Sequence, residues 1–311
     1  MTRARIFYVA KSFGVPMGGV AMIFRHVEIL VKRGFDAHVY LLPGEDDVFV
    51  RHTVPVVDGR GRLEVRPDDI FVLPEPWPVH LPEILALPVR KFVFCQNHYL
   101  VFSGLGDAPS YRSMGIERVF AVSRTIAEFL ERDCGATDVR VVPCVIDTGV
   151  FRPLAKRRQI AFMPRKVGME LAEFIRGIFR SRYPAYAGIA WVPIDRMPIG
   201  EVAARLGEAR WFLSLTYYEG FGLPPLEAMA ADAIVAGFHG GGGLDYATPA
   251  NGFWCPTGDF EGCVDALARA VEAGDSGRGE DVVAAGRATV AKYGAAAQES
   301  ALVDFWTEAL S

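Results

Sequence analysis

Short apolar segments alternate with amphipathic ones along the first half of the chain. Predicted strands cover residues 6–10, 37–42, 70–73, 91–95, 119–122 and 139–142. Between the first two strands, apolar residues recur at helical spacing from Val20 to Val31, with charged residues on the opposite face. Gly34 is typical of a residue that ends such a helix, and Ser123 of one that caps the start of another. This alternation predicts a parallel sheet covered on both faces.

A second alternating series follows a proline-punctuated connector at residues 141–153. Its predicted strands cover residues 160–163, 189–193, 211–215 and 233–237, and its helices residues 169–182 and 199–207. Two or three further helices are expected from Phe260 onward, whereas residues 43–69 lack periodicity and predict mostly loop with room for one small strand. We therefore predict two α/β domains, 1–147 and 148–311, with the final helix able to pack back on the first domain.

Composition narrows the classes of function. The chain has 311 residues, enough for two domains, and its 51% hydrophobic residues can fill two cores. A net charge of −4 and a pI near 5.9 leave no broad basic face, which argues against nucleic acid as a partner. The six histidines are scattered and no D-x-D follows a strand, so no metal site is expected.

The sequence also carries signals about location. The apolar run near the N-terminus is too short for the core of a signal peptide, and no run of about 18 apolar residues could span a membrane. The five cysteines form no close pair, which is typical of thiols in a reducing compartment. We therefore expect a cytoplasmic protein. Arg25, Lys32 and Arg33 leave peripheral contact with an anionic inner membrane as an open alternative.

The most informative stretch is Y-E-G-F-G-L-P-P-L-E-A-M-A-A at residues 218–231. A predicted strand precedes it and strong helix formers end it, so the order is strand, tight loop, helix. The proline pair inside it carries no N–H, so an anion at this helix start must use the amides of Phe221, Gly222 and Leu223. Glu219 lies on the loop and Glu227 is predicted in the first helical turn. Two carboxylates around an anion site suit a nucleotide-sugar.

This stretch resembles the signature of the retaining, group 1 glycosyltransferases of the GT-B fold, which carry a glutamate pair at this spacing. The resemblance implies an α/β fold of two Rossmann-like domains with parallel sheets facing across a cleft. It implies retaining transfer of a hexose from a nucleotide-diphosphate sugar to an acceptor hydroxyl, in polysaccharide or glycoconjugate synthesis. By the same resemblance Glu219 contacts the donor sugar and Glu227 the ribose hydroxyls, and no metal or other cofactor is needed.

The resemblance also assigns roles outside the signature. Gly18 and Gly19 correspond to the glycine pair that lies close to the donor phosphate, Arg165 and Lys166 to the cations that neutralise the departing diphosphate, and His98 to a histidine that contacts the donor sugar. Each has a plainer interpretation: an ordinary strand-to-helix turn, an exposed basic pair and a packed histidine. The family separates its two cations by several residues, whereas here they are adjacent. The run H-G-G-G-G-L-D at residues 239–245 is a further candidate for contact with the sugar, through backbone amides.

Two other functions remain open from the sequence. A nucleotide-sugar 2-epimerase of the same fold would need acid–base carboxylates in the first domain and generally lacks the glutamate pair. A non-catalytic nucleotide-sugar-binding partner protein is the second, because one strand–helix unit of the family is missing between residues 183 and 198 and the cation spacing is altered. The acceptor of a transferase would be a carbohydrate or a lipid-linked molecule.

Overall fold

The computed structural model describes residues 4–11, 18–42, 53–165 and 167–311. The chain divides into two compact units, of which unit 1 comprises Met1–Cys144 with Ala296–Ser311 and unit 2 comprises Val145–Ala295. The division thus lies three residues before the boundary predicted after residue 147, and the final helix belongs to unit 1.

Unit 1 contains a parallel sheet. Its strands are β1 (Arg5–Ala10), β2 (Asp36–Leu41), β3 (Val56–Asp58), β4 (Ile70–Pro74), β5 (Arg90–Cys95), β6 (Arg118–Ala121) and β7 (Arg140–Val141). Its helices along this part of the chain are α1 (Gly18–Lys32), α2 (Pro82–Leu85), α3 (Val101–Leu105) and α4 (Arg124–Asp133). The strand order is β3-β2-β1-β4-β5-β6-β7, with every described pair parallel. The predicted parallel sheet is confirmed.

The end signals of two helices in unit 1 act as predicted. Gly34 takes a positive φ of 81° after α1, and the N–H of Phe35 returns to the carbonyl of Leu30 at 2.9 Å. That conformation favours glycine because a Cβ is disfavoured there. At the start of α4, the Ser123 hydroxyl accepts the N–H of Ile126 at 3.3 Å. Local sequence therefore fixes where these helices begin and end.

Unit 2 contains a second parallel sheet. Its strands are β8 (Arg157–Phe162), β9 (Ala190–Pro193), β10 (Ala209–Leu215), β11 (Ile234–Phe238) and β12 (Phe253–Cys255). Its helices are α5 (Gly168–Arg182), α6 (Ile199–Glu208), α7 (Leu223–Ala230), α8 (Phe260–Asp275) and α9 (Gly279–Val290). The strand order is β12-β11-β10-β8-β9, and each described pair is parallel. The carboxyl ends of β8, β10 and β11 therefore lie side by side at one edge of the sheet.

The last helix, α10 (Ala295–Leu310), packs into the aromatic core of unit 1. The buried Trp306 donates its indole N–H to the Tyr8 hydroxyl at 3.1 Å and stacks on Phe92 at 5.5 Å. Buried aromatic pairs of this kind add to the free energy of burial. Three helices thus close the chain, within the predicted two or three.

Several short elements were not located by the sequence, although β3 lies within residues 43–69, where room was left for one small strand. The edge strands β3 and β12 are three residues long, and helices α2 and α3 are four and five residues long. Elements this short hold too few residues to show a period. Among the described residues, no helix has both the length and the apolar character needed to cross a membrane.

Candidate functional site

Three loops meet at the carboxyl edge of the sheet in unit 2. They follow β8, β10 and β11, which are adjacent in the sheet. The first carries Arg165, the second is residues 216–222 of the signature, and the third is the glycine run at 239–243. In open α/β sheets this edge is where ligands bind.

The signature loop is pinned to the glycine run through the backbone of Glu219. The Glu219 N–H donates to the Gly240 carbonyl at 3.1 Å, and the Glu219 carbonyl accepts the Gly242 N–H at 3.0 Å. The preceding residue, Tyr218, takes a positive φ of 50°, which is uncommon for a residue other than glycine. These contacts fix the main chain that carries the half-buried Glu219 side chain.

Glycine is required in the run because the two loops touch backbone to backbone. A Cβ on Gly242 would lie 2.4 Å from the Gly220 carbonyl group and 2.5 Å from the Phe221 nitrogen. A Cβ on Gly240, where φ is 67°, would lie 2.4 Å from Cγ2 of Thr216. A side chain at either position would push the loops apart. The run therefore supports the signature loop.

Helix α7 begins at Leu223, directly after Gly222, whose φ of 83° and ψ of 75° form a left-handed turn. Pro224 and Pro225 occupy the first turn, as predicted, and have no N–H. Within the described ranges the Leu223 N–H donates no hydrogen bond. Phe221, in contrast, is buried, and its nitrogen lies beneath Gly242. Of the three predicted amides, that of Leu223 is the best placed to meet an anion.

Glu227 lies in the second turn of α7, and its predicted place in the first turn is wrong because the helix begins at Leu223. The side chain is half-buried. Burial raises the pKa of its carboxyl to about 7, and the nearby positive charge of Arg165 acts in the opposite direction. Arg165 is exposed after β8. Its predicted partner Lys166 lies outside the described residues.

One contact that sequence reasoning missed involves Tyr246. Its buried hydroxyl donates to the Gly222 carbonyl at 2.6 Å. The Tyr246 ring packs edge-on against Phe221 at 5.5 Å. The two bonded residues are 24 positions apart, so no local pattern predicts the contact.

His239 begins the glycine run and has a defined hydrogen bond. Its Nδ1 accepts the N–H of Gly241 at 3.2 Å, so the proton of the neutral ring lies on Nε2. Burial lowers the pKa of this imidazole, which favours that neutral form. The ring can therefore offer one N–H donor at this edge of the sheet.

The remaining predicted residues belong to unit 1. Gly18 starts α1, and the Gly19 carbonyl accepts the Gln96 side-chain amide at 3.1 Å. This contact joins the start of α1 to the end of β5, where His98 opens a short 3-10 turn. The His98 ring packs on Phe129 at 5.1 Å. The structure thus brings these three residues to one region of unit 1, as the sequence order of strands and helices implies.

A buried carboxyl group in the same region of unit 1 was also missed. Glu75 follows β4 and is 4% exposed, and its Oε2 accepts the N–H of Gln96 at 3.2 Å. Burial raises the pKa of this carboxyl to about 7. A single glutamate after a strand carries no sequence signal that separates it from a solvated one.

No metal cluster is found in the described parts of either unit: no three His, Cys, Asp or Glu side chains lie close enough to hold an ion. The expectation of a metal-free, cofactor-free reaction stays a prediction.

Comparison with known proteins agrees with this architecture. The family described as Glycosyl transferases group 1 matches residues 194–287, a range that contains the signature loop and the glycine run. An alpha-1,6-glucosyltransferase of Actinobacillus pleuropneumoniae serotype 7 is 30% identical over 233 residues, covering 72% of this chain and 69% of that protein.

Two solved structures share the fold. Sucrose-phosphate synthase from Thermosynechococcus elongatus superposes with a TM-score of 0.72 at 15% identity, covering 99% of both chains. Anabaena HepE, solved in complex with UDP and glucose, gives a TM-score of 0.68 at 13% identity, covering 98% of this chain and 100% of that chain. The two parallel-sheet units thus match GT-B structures, and the chain belongs to the group 1 glycosyltransferases.

Proposed function

We propose that this glycosyltransferase moves a glucosyl unit from a nucleoside-diphosphate glucose, UDP-glucose first among them, to an acceptor hydroxyl with retention of configuration. The proposal draws on the alpha-1,6-glucosyltransferase relative and on the UDP and glucose bound by HepE. The common nucleoside-diphosphate glucoses are α-linked, so an enzyme that makes an α-linkage from one retains configuration.

One observation supports the position of the donor site. The Leu223 N–H, without an acceptor in the described part of the chain, stands at the start of α7 between Glu219 and Glu227. A helix start attracts a phosphate through its amides and its dipole. Glu219 then orients the sugar from the loop side, and Glu227 accepts hydrogen bonds from the ribose hydroxyls. Arg165, on the loop after β8, adds a cation for the diphosphate.

The chemical step leaves charge on the departing diphosphate. Arg165, Lys166 and the Leu223 amide oppose that charge, which is stabilisation of the oxyanion-hole type. In our scheme the acceptor attacks from the face that the diphosphate leaves, and the departing phosphate takes the acceptor's proton. Glu219 positions the sugar and need not form a covalent bond with it. No metal or other cofactor takes part in this scheme.

The acceptor is proposed to be a carbohydrate or a lipid-linked glycan in polysaccharide or glycoconjugate assembly. In this proposal the loops at the carboxyl edge of the unit 1 sheet bind the acceptor. A lipid-linked acceptor would require contact with a membrane surface, which flotation with anionic vesicles tests directly.

The donor is tested by thermal shift with UDP, GDP, ADP and dTDP. A nucleotide at 100 times its dissociation constant stabilises the protein by about 2.7 kcal/mol, and we expect UDP to give the largest shift.

The stereochemistry is tested by proton NMR of UDP-glucose incubated with the enzyme in water, which follows its slow hydrolysis. Retention requires α-glucose as the first product, whereas early β-glucose contradicts it. A new nucleotide-sugar formed without acceptor would instead indicate an epimerase.

A further inference from the structure

The hydrogen bond from Tyr246 to the Gly222 carbonyl fixes the orientation of the whole Gly222–Leu223 peptide group. Gly222 is enclosed: a Cβ there would meet the Tyr246 hydroxyl at 3.1 Å and Thr216 Cγ2 at 3.4 Å. Its carbonyl accepts the Tyr246 hydroxyl at 2.6 Å inside the protein. Because both partners are buried, losing the hydroxyl would remove a hydrogen bond from a buried carbonyl and favour a rotation that restores one.

The direction of the Gly222 carbonyl also sets the direction of the next amide. In a planar trans peptide the C=O and N–H point opposite ways. Tyr246 draws the Gly222 carbonyl toward the core, so the Leu223 N–H points away from Tyr246. That amide is the last one before Pro224 and Pro225, which have none. Any rotation of this peptide would misdirect the amide that stands at the helix start.

Tyr246 is itself held firmly. The Asn251 side-chain amide donates to the Tyr246 carbonyl at 2.7 Å and to the Thr289 hydroxyl at 2.9 Å. The Asn251 Oδ1 accepts the indole N–H of Trp254 at 3.1 Å, and Asn251 is 2% exposed. A buried amide with both ends bonded is rigid, and it fixes the chain that carries the Tyr246 ring.

We propose that Tyr246 is a positioning residue for the reaction: its hydroxyl holds the Gly222–Leu223 peptide so that the Leu223 N–H faces the departing diphosphate. This inference rests on the proposed function, which supplies the diphosphate. Tyr246 acts through the peptide and does not touch the donor.

The hydroxyl must stay protonated to donate this hydrogen bond. Burial raises the pKa of Tyr246 well above its ordinary value, and the nearby charges of Glu219 and Glu227 raise it further. The positioning bond is therefore present throughout the neutral range.

The kinetic test measures kcat and the KM for UDP-glucose in Tyr246→Phe and in a matched control, Tyr111→Phe. Tyr111 lies in unit 1 and is 1% exposed, and its hydroxyl also donates to a backbone carbonyl, that of Glu75, at 2.9 Å. We expect Tyr246→Phe to lower kcat about tenfold, more than it raises the KM of the donor, because charge on the leaving oxygen grows toward the transition state. Tyr111→Phe should stay within twofold of the parent kcat. Equal losses in the two variants would overturn the assignment, since they would reflect only a lost buried hydrogen bond.

A crystal structure of Tyr246→Phe gives a readout that needs no substrate. We expect the Gly222–Leu223 peptide to have rotated from its parent orientation. An unchanged peptide would overturn the inference whatever the kinetics show. If the parent enzyme consumes no nucleotide-sugar, the proposed function fails, while the orientation of the peptide in this crystal still decides whether Tyr246 sets it.

Discussion

The positive charge of Arg165 lowers the pKa of Glu227, against burial that raises it to about 7. The two side chains come from different elements, the loop after β8 and the second turn of α7. Their opposition gives the Glu227 carboxyl a pKa of about 7, so that it titrates around neutral pH. Donor binding should therefore depend on pH around 7.

We predict that UDP binds more weakly as the pH falls through about 7. Below its pKa of about 7 the Glu227 carboxyl gains a proton and loses its charge, so it accepts hydrogen bonds from ribose hydroxyls less well. Affinity should fall by up to about tenfold per pH unit, the limit for one titrating group. Calorimetric titration of UDP between pH 5.5 and 8.5 measures this.

Glu227→Gln is the control, because UDP itself has a phosphate that titrates in the same range. The slope that remains in this variant belongs to the nucleotide, and only the difference belongs to Glu227. Arg165→Ala should move the midpoint of that difference upward, since the charge that lowers the pKa of Glu227 is removed. Equal slopes in parent and Glu227→Gln would contradict the assigned role.

Glu219→Ala should reduce turnover at least tenfold, about 1.4 kcal/mol in the barrier. The loop backbone is held by the Glu219 main chain through Gly240 and Gly242, so removing the side chain leaves the loop in place. The loss is therefore expected in kcat with little change in melting temperature. Glu219→Gln keeps the size of the side chain and separates charge from shape. Turnover equal to the parent in both variants would refute the role.

The sequence predicts what depends on neighbours along the chain. Periodicity located the long strands and helices of both sheets, and Gly34 and Ser123 marked helix ends because each acts on its own helix. The signature at residues 218–231 predicted a loop and a helix with prolines in its first turn, directly after a predicted strand. Each of these features depends only on residues within about ten positions along the chain.

Long-range contacts could not be predicted in the same way. The bond from Tyr246 to Gly222 joins two loops that meet only because β10 and β11 are adjacent. The buried Glu75 is distinguished from a solvated glutamate only by what packs on it. Burial, and the raised pKa that follows from it, are properties of the folded chain and not of a motif.

Gly242→Ala should distort the signature loop, whose backbone packs against Gly242. The added Cβ would lie 2.4 Å from the Gly220 carbonyl, and backbone cannot move aside cheaply. We expect a loss of about 1–3 kcal/mol in stability, the usual range for overpacking, together with weaker UDP binding. Gly177→Ala is the matched control, because a Cβ there meets nothing within 4 Å. It lies in α5, so it should stabilise by about 0.5–1 kcal/mol. Calorimetric unfolding measures the change in stability of both variants, and an equal change in the two would contradict the close packing of the loops.

His26 lies on α1 inside the core of unit 1 and is fully buried. Within the described residues neither ring nitrogen has a hydrogen-bond partner, and Phe94 packs on the ring at 4.7 Å. Burial lowers the pKa of this imidazole to about 3, so the folded chain resists a proton that the unfolded chain takes up near pH 6.5. Stability should therefore fall as the pH drops from about 6.5 toward 3, by on the order of 4–5 kcal/mol over the whole range.

In His26→Leu this part of the pH dependence of the free energy of unfolding should vanish. At pH 8 the ring is neutral in both the folded and the unfolded state, so proton uptake contributes nothing to the difference in stability between parent and variant there. Urea unfolding of both proteins at pH 8, 6 and 5 gives the comparison. Parallel pH profiles would show that the His26 ring is hydrated or bonded in the folded protein.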